Sequence, residues 1–430
     1  MDVLIKSGRV IDPASNLDAV MDILIQEGKI KSVGQRLQAP SSRIPIIDAK
    51  NLWVLPGLID MHAHLRDPGN PEEETIASGT RAAALGGFTS VCCMANTTPP
   101  LDNPAMIKYV TSKARLEGVV NVFPVGAVTK GMGGAELAEM GRMLMEGARA
   151  FSDDGRPIEN AGVMRRALEY ARQFDTLIIS HCEDLGLSEG GDMNESFTST
   201  FLGLHGITSL AEETMVMRDI MLAREFGRVH IAHVSTARSV ELIRKAKAEG
   251  VKLTCETCPH YFTLTEGEVE GYNTNAKVNP PLRGEADLKA VVMGLKDGTI
   301  EVIATDHAPH QEEEKKVEFS KAAKGMVGLE TALALVLTEL VGTGALPLKK
   351  AIEKLTINPA TILNLKKGVI KTGWDGDLIV IDPAKEWTVD ASKFASKSKN
   401  SPYHGWKLKG QVLHTIVGGK IVVKDGKLTS

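Results

Sequence analysis

Between residues 58 and 341 the sequence repeats one alternation eight times: a compact apolar stretch of strand length, then a segment long enough for a helix. The strand candidates are 58–62, 89–94, 121–127, 148–152, 176–181, 229–233, 251–256 and 301–305. Segments of helical length follow, among them 72–85, 159–172, 237–248 and 329–341. Apolar strands joined by helical crossovers run parallel and need cover on both faces, and eight such units close most simply into an α/β fold of the (β/α)8 TIM-like barrel type.

The two ends of the chain follow a different rule. Residues 1–54 and 366–430 alternate short apolar and polar stretches, punctuated by Gly8, Gly28 and the pair Gly418-Gly419, which reads as β-hairpins. The expected organisation is a barrel over 55–365 and one small composite β-domain formed by both termini, 1–54 and 366–430.

Composition narrows the partners. Lys plus Arg is 50 and Asp plus Glu is 54, a net charge of -4. That balance leaves no broad cationic surface for nucleic acid or anionic lipid, so no nucleic acid and no membrane is expected, and a small-molecule substrate is. Met1 leads directly into a charged, strand-like segment with no apolar leader, and nowhere do 18 apolar residues run together. Five Cys, an odd number with Cys92 and Cys93 adjacent, argue against a disulfide framework. The expected compartment is the reducing cytoplasm.

Residues able to bind metal fall at strand ends. His62 and His64, in Gly57-Leu-Ile-Asp-Met-His-Ala-His-Leu-Arg66, are two apart, so on a strand both imidazoles point to one side. Asp153-Asp154 follow the fourth strand, His181 the fifth, His233 the sixth and Asp306 the eighth. Barrel enzymes build their sites at that rim. Four imidazoles with carboxylates suit two divalent ions, Zn2+ foremost, with Mn2+ or Co2+ as alternatives. Such a pair lowers the pKa of a shared water and polarises a carbonyl, which is the chemistry of hydrolysis or its reverse. A departing amide nitrogen needs a proton, and Asp306 is the candidate to carry it.

Four segments, Asp60-Met-His-Ala-His-Leu-Arg-Asp-Pro-Gly69, Ala150-Phe-Ser-Asp-Asp-Gly155, His181-Cys-Glu-Asp184 and Ala304-Thr-Asp-His-Ala-Pro-His310, together resemble the class I bacterial dihydroorotases of the amidohydrolase superfamily. The resemblance covers essentially the whole chain. It implies a barrel with a composite β-domain, two zinc ions, and interconversion of L-dihydroorotate and N-carbamoyl-L-aspartate in pyrimidine biosynthesis. By resemblance, His62, His64 and Asp306 hold one ion and His181 and His233 the other. One Asp of Ser152-Asp-Asp-Gly155 bridges them; the family spacing favours Asp154, while strand alternation leaves Asp153 open. For the substrate carboxylate, Arg66 is placed on the face of His64 if the strand persists, and a planar guanidinium suits it. Similarity adds His64, Asn96, Asn279 and His310, together with Lys324 and Gly325 in a charged cover over 311–328. Lys324 stands where the family has an aromatic residue. Homo-oligomers and association with aspartate transcarbamoylase also come with the resemblance.

Two rival readings are a hydantoinase or allantoinase, whose bridging group is a carboxylated Lys, and a catalytically silent partner of aspartate transcarbamoylase. No Lys occurs between 131 and 174, which disfavours the first, and retention of all six ligand positions disfavours the second. Other signals read as structural. Cys255-Glu-Thr-Cys258 is a single pair whose sulfurs face opposite ways on a strand, and Cys182 faces away from His181. His230, three residues before His233, is expected to face the outer helices. Glu183 either orients a ligand His or lies exposed, and Glu312-Glu-Glu-Lys-Lys316 is expected to be solvated.

Overall fold

The computed structural model describes residues 2–429. Eight parallel strands follow one another in chain order: Leu58–Ala63, Phe88–Cys93, Asn121–Gly126, Ala150–Phe151, Ile178–Ser180, Val229–Ile231, Leu253–Thr257 and Val302–Ile303. The first and last are joined at the rim, where the His64 amide donates to the His307 carbonyl at 2.8 Å. The barrel is therefore nearly closed, in the order that the repeated alternation dictates. Met61, Cys92, Val125, Ala150, Ile179, Ala232 and Val302 form one buried cluster. Side chains from strands all around the ring can meet only on the barrel axis, so these residues are its plug and the floor of the mouth.

Several strands are shorter than their apolar runs. The fifth stops at Ser180 and the sixth at Ile231, so His181 and His233 sit just beyond the ladder. His233 and Asp306 adopt positive φ, 35° and 46°, a conformation that ladder pairing does not accommodate. Local capping trims the helices. Thr75 accepts from the Ser78 amide in a capping box and starts the first barrel helix at Ile76, four residues inside the expected segment. Thr236 accepts from the Ser239 amide and starts Ala237–Ala248, whose limits match the sequence reading. The expected helix over 329–341 is Ala332–Leu335 running into a π-helical turn, Val336–Val341.

Both termini contribute to a second, nine-stranded sheet. Its seam is the antiparallel pair Trp53–Pro56 and Leu378–Thr388, with Val54 opposite Val380. Val3, Ile5, Val10, Ile23, Ile25, Val54, Leu378, Val380 and Ile416 bury one face of it. The Gly418-Gly419 turn joins Lys407–Val417 to Lys420–Lys424 with φ of 53° and 75°, values that a two-residue hairpin of this hand requires and glycine supplies without strain.

Candidate metal centre

His62 stands on the first barrel strand and is completely buried. Its Nδ1 lies 2.6 Å from Glu256 Oε1 on the seventh strand. Nδ1–H donates to that carboxylate, which fixes the ring and turns the Nε2 lone pair into the mouth. There Nε2 faces Asp154 Oδ2 at 3.3 Å and Asp306 Oδ1 at 3.6 Å, yet has no hydrogen-bond partner among the described residues. His64 repeats the pattern. Nδ1 is 2.8 Å from Asn96 Oδ1, and Nε2 looks at Asp306 Oδ1 at 3.1 Å and Asp154 Oδ2 at 3.5 Å.

A second imidazole pair closes the other side. His181 Nδ1 lies 2.9 Å from His233 Nε2, and both are 3.3 Å from Asp154 Oδ1. His181 is held from behind by Glu183, whose Oε2 is 2.8 Å from Nε2. Glu183 is buried against it rather than exposed, and takes a further bond from Asn279 Nδ2 at 2.9 Å.

Asp154 therefore divides its carboxylate, with Oδ2 toward His62 and His64 and Oδ1 toward His181 and His233. Asp153 points elsewhere: its oxygens accept from the Val128 amide at 2.8 Å, the Thr129 amide at 3.1 Å and the Thr129 hydroxyl. Two groups of potential ligand atoms, His62–Asp154–His233 and His62–His64–Asp306, each fit within 4.8 Å.

The electrostatics match a site built for cations. Burial opposes charge on His62 and His181. The carboxylates of Asp154, Glu256 and Asp306 around the first, and of Asp154 and Glu183 around the second, outweigh it, holding His62 well above the ordinary imidazole range and His181 at about 10. Asp154 and Asp306 are held well below the carboxylate range: the imidazoles, His62 foremost, overcome the burial that opposes their charge. Lone pairs facing carboxylate oxygens in a buried site repel unless a proton or an ion lies between them, and an unpaired buried polar atom costs roughly 1–3 kcal/mol. The orphaned Nε2 of His62 and the convergent N and O donors fit divalent ions.

Around this core the structure gathers the remaining expected residues, though not always as the sequence suggested. The first strand stops at Ala63, so alternation does not place Arg66; a left-handed turn does, with φ 54°. Its Nε lies 2.8 Å from Glu73 Oε2 and 3.2 Å from the Pro309 carbonyl, and Nη2 reaches His310 Nε2 at 3.3 Å. Asn96 and Asn279 are at the mouth, but each is engaged with the imidazole cluster, through His64 and Glu183. His310 Nε2 lies 3.0 Å from the Lys324 carbonyl. Gly325 has φ 144°, and a Cβ there would come within 2.7 Å of Ala308 Cβ.

Two expectations are corrected. His230 is not turned toward the helices: it is fully buried, with Nδ1 2.8 Å from Thr254 Oγ1 and Nε2 3.3 Å from Glu256 Oε2. The strand ends before His233, so counting alternation back from that residue fails. The run Glu312-Glu-Glu-Lys-Lys316 is not wholly solvated, because Lys315 is buried. Its Nζ donates to the carbonyls of Ala323 at 2.6 Å and Gly325 at 3.0 Å, and burial pushes its pKa down to about 7. With Lys277 Nζ bound to the Phe319 and Ser320 carbonyls, it pins the 311–328 cover.

Glu256 was not singled out from sequence, although a carboxylate inside an otherwise apolar strand is a signal for a paired buried group. Among the described residues the cysteines form no disulfide. Cys182 Sγ packs toward Ser180 and Asp219 and Cys255 Sγ toward the Thr299 carbonyl, both away from the imidazoles.

The amidohydrolase family matches residues 53–422. A dihydroorotase of Acetivibrio thermocellus is 53% identical over 425 residues, covering 98% of this chain and 99% of that relative. One from Geobacter sp. strain M21 is 55% identical over 427 residues, 99% of this chain and 100% of that one. Among solved structures, an L-hydantoinase from Arthrobacter aurescens superposes with a TM-score of 0.90 at 26% identity, covering 100% of this chain and 97% of that one. A dihydropyrimidinase from Brevibacillus agri does so at 0.87 and 23%, over 100% and 96%, a likeness of fold.

Proposed function

The chain belongs to the amidohydrolase family, and from that premise we propose that it is a cyclic amide hydrolase interconverting L-dihydroorotate and N-carbamoyl-L-aspartate. The observation that carries the reading is the division of Asp154 between His62 and His64 on one side and His181 and His233 on the other. In this reading His62, His64 and Asp306 hold one ion, His181 and His233 a second, and Asp154 touches both, with zinc as the resident metal. Bound there, a pair of divalent ions supplies a nucleophile at neutral pH and an electrophile for the amide carbonyl.

The protein's own groups do the rest. Asp306 is buried and held ionised, so it can take the proton of the attacking water and deliver it to the ring nitrogen as the amide bond breaks. In ring closure it runs the other way, taking the carbamoyl N–H proton. Glu256, Asn96 and Glu183 hold the rings of His62, His64 and His181 in place. Arg66, oriented by its contacts with Glu73, Pro309 and His310, would meet, together with His310, the carboxylate that does not react. Burial and the neighbouring Arg66 lower His310 to about 3, so it stays neutral there. By the resemblance, Asn279, Lys324 and Gly325 would border the bound substrate as well.

The hydantoinase reading loses ground because Asp154, not a Lys, stands between the imidazole pairs. The silent-scaffold reading loses ground because the ligand set is whole and its supporting bonds are made. Among the described residues no helix is long and apolar enough to cross a membrane. A cytoplasmic enzyme, alone or associated with a second copy or with aspartate transcarbamoylase, is the setting that the sequence resemblance implies. Turnover of dihydroorotate, hydantoin and allantoin by metal-replete protein tests the reading. Dihydroorotate should be the preferred substrate by orders of magnitude, and preference for either of the others would contradict it.

A further inference from the structure

Beside the centre lies a group with no part in this reaction. His260 sits in Pro259–Thr263, the short helix that leaves the seventh barrel strand. It is 2% exposed, and its Nε2 is buried with no hydrogen-bond partner among the described residues. A ring nitrogen of His260, the Cys258 thiol and an Asp306 carboxylate oxygen all lie within 4.8 Å of one another. Cys258 is fully buried. Sulfur, imidazole nitrogen and carboxylate oxygen at this spacing form a set that a borderline or soft divalent cation accepts and a hard one such as Mg2+ does not.

We propose that Cys258, His260 and Asp306 form a third, inhibitory site for a thiophilic divalent cation. The inference rests on the reading of Asp306 as proton carrier. The cation binds as the Cys258 S–H bond breaks; the sulfur keeps the electron pair for the ion, and the proton leaves to solvent. No oxidant or reductant is needed. Asp306 has two oxygens, and Oδ1 already lies 3.1 Å from His64 Nε2. An ion seated between Cys258 and His260 draws on the same carboxylate, so it can no longer accept a proton from water or release one to nitrogen. Turnover stops while the imidazole pairs stay filled.

The test is a Cd2+ titration of the enzyme carrying its resident ions. One further equivalent per chain should bind, with a thiolate-to-cadmium charge-transfer band in the ultraviolet, and dihydroorotate turnover should fall in step with that band. Cys258→Ser, close in volume and with a hydroxyl suited to a residue preceding a helix, should keep the starting turnover and lose the band. It should also need at least about tenfold more Cd2+ for the same inhibition. His260→Asn keeps the thiol and should weaken inhibition likewise, so the result does not depend on one variant. Metal content that stays constant under excess Cd2+, or equal inhibition of parent and Cys258→Ser, overturns the site. Absence of dihydroorotate turnover before any Cd2+ is added would overturn the functional reading instead.

Discussion

Glu256 Oε1 lies 2.6 Å from His62 Nδ1, carboxylate against imidazole across the inside of the barrel, with both side chains fully buried. The contact sets which nitrogen of His62 faces Asp154 and Asp306. Glu256→Gln preserves shape but removes the charge that raises ring basicity. It should weaken ion retention by roughly 10–100-fold while leaving the fold intact, measured by chelator competition and circular dichroism. Unchanged retention would mean that the pair is only structural.

Asp153 and Asp154 are adjacent in sequence and opposite in circumstance. Asp154→Asn should cut the metal content to about one ion per chain or fewer and abolish turnover, because both imidazole pairs lose their shared oxygens. Asp153→Asn should keep the ions and chiefly loosen the loop at Val128 and Thr129. Metal analysis of the two variants distinguishes them, and equal losses would contradict this division of labour.

Without ions the site takes up protons: His62 is held charged well above its usual range and His181 up to about 10. Loading the metal-free protein with Zn2+ near neutral pH should therefore release protons, and affinity should fall as pH is lowered. Calorimetry in buffers of differing ionisation enthalpy measures the release. A value of zero would mean that the imidazoles are already neutral.

Glu330 gives a pH dependence unrelated to catalysis. Burial raises its carboxyl to about 7 from the usual 4.5. Between those values the folded protein holds a proton that the unfolded chain has lost, so its contribution falls as pH rises through that window. Glu330→Gln, neutral at every pH, should melt higher than the parent at pH 8 and close to it at pH 4.5, read by thermal denaturation. A constant difference at both pH values would contradict the shift.

Arg66→Met should raise KM for dihydroorotate with little change in kcat, since it removes the proposed contact to a carboxylate that does not react. Steady-state kinetics checks this. A fall in kcat at unchanged KM would place Arg66 among the groups that align the reacting atoms.

The barrel was legible because its signal is long-range and repeated; eight apolar runs spaced by helices admit few other folds. His62, His64, His181, His233 and Asp306 were legible as a group because each follows such a run. Sequence could not choose between Asp153 and Asp154, since the choice is made by the turn after Phe151 and by the amides of Val128 and Thr129. Nor could it find the Glu256 contact, which joins the first strand to the seventh, or the inward turn of His230. Arg66 reached its place by a positive φ rather than by strand alternation, and Lys315 was buried by backbone carbonyls that no local pattern announces. These are properties of tertiary packing and of left-handed backbone at strand ends, where periodicity stops carrying information.

The proposed reaction needs two ions sharing Asp154, and anomalous diffraction at the zinc edge from crystals of the metal-replete protein tests that directly. Two peaks roughly 3.5–4 Å apart, one beside His62 and His64 and the other beside His181 and His233, with Asp154 reaching both, are the predicted result. A single peak, or peaks that leave Asp154 without a metal contact, would contradict it.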